Sequence, residues 1–316
     1  MQVGDVPGIP KLRKADSAEV TVLVDNYADL LVPSRGTIAR RPPFSPDRPL
    51  LAEHGFSVLV RVTAGKKTHA VLFDTGFSGG CMLHNSLRLG LDLQQAEAVV
   101  LSHGHFDHAG GLLTLCGQFG RQFPLILHPD ALLRRRRTVT GTEPVDLPQP
   151  DAVALKKAGA DILVRRGPSS LAAGHLLASG EIPRTVAFEK DHPDMQVWRG
   201  GRWEPDRIAD DQALILDIRD KGLVVISGCA HAGIVNTIRY AQELTGTDPV
   251  HAVLGGFHLP VPAFEPAIRP TIRELRRIRP EYIVPMHCTG WHAIGRFMEA
   301  MPDRCILNTV GTTYVF

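Results

Sequence analysis

Short apolar runs recur along this chain, each closed by a polar or glycine-bearing turn, and this pattern predicts a layered α/β protein. Residues 19–25 (Glu-Val-Thr-Val-Leu-Val-Asp) are rich in β-branched positions and predict a first strand. Residues 56–63 and 68–73 predict two more, joined by the turn Ala64-Gly-Lys-Lys67, and residues 98–101 and 123–128 two further ones. Residues 212–218 and 221–227 predict a hairpin turned at Arg219-Asp-Lys-Gly222, and residues 251–254, 282–285 and 311–316 predict the last strands. Helical spacing appears over 82–91. It returns at Ile234, Ile238, Ala241 and Leu244, where Gly246 closes the run, and at Ile268, Ile272, Leu275 and Ile278. The arginines at 134–137 follow Pro129-Asp130 and read as the solvated face of a helical start, as do Arg269, Arg273, Arg276 and Arg277 on the last helix. The middle third, 138–207, is the least regular, with apolar runs around 152–164 and 184–188.

The same pattern sets the domain organisation. Residues 1–18 are mixed and polar and are expected to form a flexible arm, and no linker divides 19–316, which is expected to be a single domain. Within it, residues 32–49 carry five prolines and no period, as a lid-like loop would. Strands repeatedly end in a ligand-type residue beside glycine: Asp74, His103 and His105, His231, His258 and His287. In layered α/β folds, sites lie where such strand ends meet. A faint echo between Val99-Val-Leu-Ser-His103 and Val224-Val-Ile-Ser-Gly-Cys-Ala-His231 hints at two halves.

The densest chemistry lies in Ser102-His-Gly-His-Phe-Asp-His108, which offers His103, His105, Asp107 and His108 within six positions. Histidines two apart on an extended segment point the same way, so His103 and His105 can converge on one cation. Asp107 and His108 stand where the chain turns and can aim at a second. Imidazole with carboxylate suits zinc, manganese or iron, not calcium or magnesium.

With that cluster in view, the chain resembles the metallo-β-lactamase superfamily, whose HxHxDH signature it matches without a gap. Asp74-Thr-Gly76 resembles the upstream aspartate that supports the site. Glu53-His-Gly-Phe-Ser57, Gly180-Glu-Ile-Pro-Arg184, Asp211-Gln-Ala-Leu214, Ser227-Gly-Cys-Ala-His-Ala-Gly233, Gly255-Gly-Phe-His258 and His287-Cys-Thr-Gly290 are similar to the subgroup named for 7,8-dihydropterin-6-yl-methyl-4-(β-D-ribofuranosyl)aminobenzene 5′-phosphate synthase. The resemblance spans about residues 19–316 and implies a four-layer αββα sandwich with a dinuclear site between the sheet ends. His103 and His105 would hold the first metal, and Asp107, His108 and His287 the second. Two departures stand out. Most relatives place a bridging aspartate where this chain has Cys229, and a histidine near where it has Gly180-Glu-Ile-Pro. His231 is therefore expected to complete the first metal set, with Cys229 either a thiolate ligand or a small buried residue.

The expected cofactors are two divalent ions, zinc first, with manganese or iron as alternatives. Such a cation lowers the pKa of bound water to about 7 and can stabilise a leaving group. The expected activity is a metal-dependent hydrolase or transferase acting on a small phosphorylated or pterin-like substrate. Asp107 would accept a proton, His258 would donate to the substrate or leaving group, and Asp74 would fix a ligand histidine. Arg184 beside Glu181 could clamp a phosphate or form an ordinary ion pair with it; His54 would line the pocket, and Phe257, Trp291 or the lid would hold a planar heterocycle. The rivals are an iron-binding redox protein of the same fold and a non-catalytic ligand-binding relative. A formal charge of +2 with 22% charged and 44% hydrophobic residues points to a globular protein with neither nucleic acid nor an anionic membrane as partner. Five scattered cysteines without a CxxC pair, and no apolar run of spanning length, make the cytoplasm the expected location.

Overall fold

The computed structural model describes residues 11–43, 45–120 and 122–316. Two large sheets face each other. The first has eight strands in the order Ala39–Arg40, Thr313–Val315, Ser17–Val24, Ser57–Ala64, Lys67–Phe73, Ala98–Val100, Phe123–Leu127 and Ala160–Val164. The second has six, in the order Ser169–Leu171, Leu176–Ala178, Ala213–Ile218, Gly222–Ser227, Val250–Gly256 and Tyr282–Met286.

Strand alternation explains how four layers arise from these sequences. Val58, Val60 and Val62 point between the sheets to meet Leu214, Leu216, Val224 and Ile226, while Leu59 points to the outer helices. Leu72 and Leu125 pack on the helices Gly80–Arg88 and Leu112–Phe119 through Met82 and Leu115. On the other side Val253 and Ile283 meet Ile238, Ile268, Leu275 and Phe297 of the helices Ile234–Thr245, Glu265–Ile278 and Trp291–Ala300. Strands covered on both faces need apolar side chains at nearly every position, which is why these runs look continuous in the sequence. The expected αββα sandwich is what the chain forms.

Lys67–Phe73, Ala98–Val100 and Phe123–Leu127 run parallel, as do Gly222–Ser227, Val250–Gly256 and Tyr282–Met286. Their carboxyl ends therefore gather at common edges, and these edges carry the ligand-type residues. Asp74, Ala230, His258 and His287 all take left-handed backbone, with φ of 60°, 53°, 40° and 48°. Each such residue costs roughly 1–3 kcal/mol and persists where the surroundings fix it, as at sites.

Several expectations need correction. Residues 11–18 are not a free arm: Ala15 is fully buried, its N–H bonds Asp217 O at 2.8 Å, and Ser17 begins the first strand. Residues 1–10 of that arm lie outside the described residues. The lid-like segment is tied to the edge of the first sheet and to the chain's last residues. Ala39–Arg40 adds an edge strand beside Thr313–Val315, and Arg35 donates to Cys305 O at 2.7 Å; Phe44 in this stretch lies outside the described residues. Arg135–Arg137 is not a helix but a strand in a third sheet, ordered Arg202–Pro205, Met195–Arg199, Arg135–Arg137, Val145–Leu147. Far from being solvated, Arg135 is 3% exposed, because Asp206 and Asp210 satisfy its charge. Among the described residues, no helix is long and apolar enough to cross a membrane.

Candidate metal centre

Two groups of donors lie at the meeting of the sheet ends. In the first, nitrogens of His103, His105 and His231 all fall within 4.8 Å of one another, with His103 Nε2 3.0 Å from His105 Nδ1. In the second, Asp107 Oδ2 lies 3.3 Å from His287 Nε2, 3.3 Å from His54 Nε2 and 3.9 Å from His108 Nε2. His108 Nε2 and His287 Nε2 are 3.2 Å apart. Cys229 joins the groups, its Sγ 3.0 Å from His108 Nε2 and within 4.8 Å of the His103 donor. The structure thus brings His231 to the first pair, His287 to the second, and Cys229 between them.

The residues behind these rings fix which nitrogen faces inward. Asp74 Oδ2 accepts from His108 Nδ1 at 2.6 Å and from Ser102 Oγ at 2.7 Å, and Asp74 Oδ1 accepts from the Ser102 N–H at 2.7 Å. Ser102 Oγ in turn accepts from His103 Nδ1 at 2.9 Å. Asn26 Oδ1 accepts from His287 Nδ1 at 2.9 Å, and Asp25 Oδ1 holds the His287 N–H at 2.8 Å. With Nδ1 protonated in each ring, the Nε2 lone pairs of His103, His108 and His287 turn toward the centre. Gly228 lets the two sheets close on this network: a Cβ there would stand 2.2 Å from Ser102 Oγ and 2.9 Å from Asp74 Oδ2.

Electrostatics point the same way for four of the histidines. His108 is the exception: burial would lower it too, but Asp74 and Asp107 outweigh that and hold it above the usual imidazole range, so a cation would have to displace its Nε2 proton. Burial pushes His103, His105 and His231 well below the usual imidazole range and His287 down to about 4, so their nitrogens are available as neutral donors. Burial alone would raise Asp107, but His108, His287 and His54 reverse that and hold its carboxyl well below the ordinary value. Burial drives the Cys229 thiol up, so its thiolate would form only with a cation beside it. His105 Nε2 and His231 Nε2 are buried without a hydrogen-bond partner among the described residues. Converging lone pairs are costly in themselves, and a divalent cation of the zinc class would satisfy those of His103 Nε2 and His105 Nδ1 together with a nitrogen of His231.

The remaining expected residues fall around this core. His258 stands with its ring 4.1 Å from His231, and neither ring nitrogen has a partner among the described residues; burial takes it to about 3. His192, assigned no role by sequence, faces it at 5.4 Å. His54 sits at the mouth, its side chain 62% exposed. Glu181, Arg184 and Arg207 line a cleft of about 510 Å³ that reaches Asp211 and Ala232. The expected Arg184 phosphate clamp is not free there: the guanidinium donates to His231 O at 2.6 Å and to Arg207 O, and pairs with Asp191 at 3.2 Å. Nor does Arg184 pair with Glu181, which lies 3.6 Å from His128 and 3.7 Å from Arg166. Phe257 is buried against Phe297, so of the expected aromatic holders Trp291, 57% exposed and edge-on to Tyr27 at 4.9 Å, is the accessible one. Sequence reasoning missed Asn26, Ser102 and Asp25, although the first and last follow the same strand-end rule as the ligands.

The model of the metallo-beta-lactamase superfamily matches residues 51–287. Among curated relatives, the 7,8-dihydropterin-6-methyl-4-(beta-D-ribofuranosyl)-aminobenzene-5'-phosphate synthase of Methanocaldococcus jannaschii is 29% identical over 299 residues, covering 92% of this chain and 94% of that one. Among solved structures, Tm1679, a metal-dependent hydrolase of the beta-lactamase superfamily, gives a TM-score of 0.73 at 27% identity, over 94% of this chain and 98% of its own. Zinc-bound PqqB from Methylobacterium extorquens shares the fold at a TM-score of 0.52 and 14% identity, over 93% of this chain and 99% of its own.

Proposed function

This chain belongs to the metallo-β-lactamase superfamily, and on that premise we propose that it is a two-metal enzyme acting on a small phosphorylated, pterin-like substrate. The supporting observation is the pair of donor groups His103/His105/His231 and Asp107/His108/His287, with Cys229 between them. A pair of divalent cations held there would supply hydroxide at neutral pH and positive charge for a departing phosphate or diphosphate. A thiol among the donors would favour zinc or iron over manganese.

The chain's own residues divide the remaining work. Asp107, ionised and 8% exposed, accepts a proton from or orients the attacking group. His54, bonded to the same carboxylate oxygen from the solvent side, steadies Asp107. His258, its ring 4.1 Å from His231 and neutral at working pH, offers its one ring N–H to the leaving group. Trp291 and Tyr27 offer a face to a planar heterocycle.

The name of the relative from Methanocaldococcus jannaschii suggests the reaction to try first, joining a dihydropterin to 4-(β-D-ribofuranosyl)aminobenzene 5′-phosphate; a diphosphate on the pterin is the leaving group we propose. Zinc-loaded protein is expected to release diphosphate only when both substrates are present, followed by coupled diphosphate detection and mass spectrometry of the product. Hydrolysis of simple phosphoesters without condensation would replace the synthase reading with a hydrolase one. Stoichiometric iron with neither activity would overturn both.

A further inference from the structure

Asp210, Asp211 and Gln212 stand between the two sources of the first donor group and bond the backbone of both. Asp210 Oδ2 accepts the N–H of Gly104, the residue between His103 and His105, at 2.7 Å. Asp211 Oδ2 accepts the N–H of Ala232, the residue after His231, at 2.8 Å. The Gln212 side-chain amide donates to Leu101 O at 2.8 Å, and its backbone N–H donates to Ser102 O at 3.0 Å. All three residues are at most 2% exposed, so these bonds form where water does not compete.

The tripeptide is itself anchored to the third sheet. Arg135 donates from Nε to Asp206 Oδ2 at 2.7 Å and from Nη2 to Asp210 Oδ1 at 2.5 Å. Asp206 Oδ1 also accepts the N–H of Ile208 at 2.8 Å and so holds this β-branched residue at a φ of 51°. On its other side Gly104 lies against Ala131, whose carbonyl oxygen would stand 2.1 Å from any Cβ added there. The turn carrying His103 and His105 is therefore pressed by Ala131 from one side and held by Asp210 on the other.

We infer that Asp210, Asp211 and Gln212, backed by Arg135, are positioning residues that set His103 and His105 at ligand distance from His231. This rests on reading those three histidines as ligands of one cation. His103 and His105 leave one sheet and His231 leaves the other, so their spacing depends on how the two sheet ends dock. Metal bonds tolerate errors of only about 0.2 Å, finer than apolar packing between sheets fixes by itself. The second donor group is held by Asp74, Asn26 and Asp25, of which Asp74 also steadies His103 through Ser102. Losing the clamp should therefore touch one cation and spare the other.

Cobalt(II) titration of the full-length chain, read by visible absorption and calorimetry, tests this. The native protein takes up two equivalents. In Gln212→Met and Asp210→Ala, one equivalent should bind about 10- to 100-fold more weakly with an altered d–d band, while the other keeps native affinity. Asp210→Asn, which retains an acceptor for the Gly104 N–H, should recover most of that loss. If Asp210→Ala does not fold, Gln212→Met still decides the matter. Two native-like equivalents in the variants, or equal weakening of both, would overturn the clamp alone. A native chain that takes up no cobalt would overturn the ligand reading and the clamp with it.

Discussion

The two sheets contribute to the centre in different ways. The first sheet delivers four donors from one turn, His103 to His108, so their grouping is a property of local sequence. The second delivers Cys229 and His231, His258, and His287 from three separate strand ends, so their grouping is a property of topology. The local half should tolerate changes in packing and fail when a donor is lost. The dispersed half should fail when either a donor or the docking of the sheets is lost.

The largest effect is expected at the local half. Asp107→Asn should lower kcat/KM by roughly 10²- to 10⁴-fold, with the far-UV spectrum and melting temperature close to native. Unchanged activity would remove Asp107 from the proton-handling role. Next come paired ligand exchanges: His231→Ala and His287→Ala should each leave one metal per chain by elemental analysis, from opposite members of the pair. Cys229→Asp should keep both metals and improve manganese binding relative to zinc, because a carboxylate replaces a soft sulfur. If it leaves the metal preference untouched, Cys229 is not a ligand.

Docking is addressed by Gly228→Ala, whose added methyl would meet Ser102 Oγ at 2.2 Å. A loss of about 1–3 kcal/mol in chemical denaturation is expected, together with weaker metal uptake. A neutral result would mean that the sheet ends have more room than the structure shows.

An effect of similar size, seen only when pH is varied, lies beside the dispersed half. Glu189 accepts the N–H groups of Val235 and Asn236 at 2.8 Å each, and burial raises it to about 7 despite Arg239 and Arg184 nearby. Its folded pKa exceeds the unfolded value of 4.5, so its contribution is full below about pH 4.5 and is lost as pH rises through 7. Relative to Glu189→Gln, the native chain should lose on the order of 3 kcal/mol of stability across that window, as a set of melts at stepped pH would reveal.

How far each part was legible in the sequence follows from the same contrast. The HxHxDH turn and the β-branched strands carry their meaning within a few residues, and the sandwich and the local donors were readable from them. His231, His258 and His287 stood out as strand-end histidines and took their roles from the family resemblance, and parallel pairing is what brings their strand ends together. The third sheet was not legible: Arg135–Arg137 and Val145–Leu147 are short and polar, with no alternation for a pattern to catch. Arg135 read as a solvated helix residue because its partners, Asp206 and Asp210, lie some 70 positions away in the chain. Arg184 read as free for a phosphate for a related reason, since backbone carbonyls that engage a guanidinium leave no trace in sequence.

The central claim is that one cation lies among His103, His105 and His231 and a second among Asp107, His108 and His287. Anomalous diffraction at the zinc edge from crystals of the zinc-loaded chain tests it most directly. Two peaks are predicted, the first bonded by nitrogens of His103, His105 and His231 and the second by Asp107, His108 and His287. A single peak, or two peaks without a bond from His231, would contradict the account.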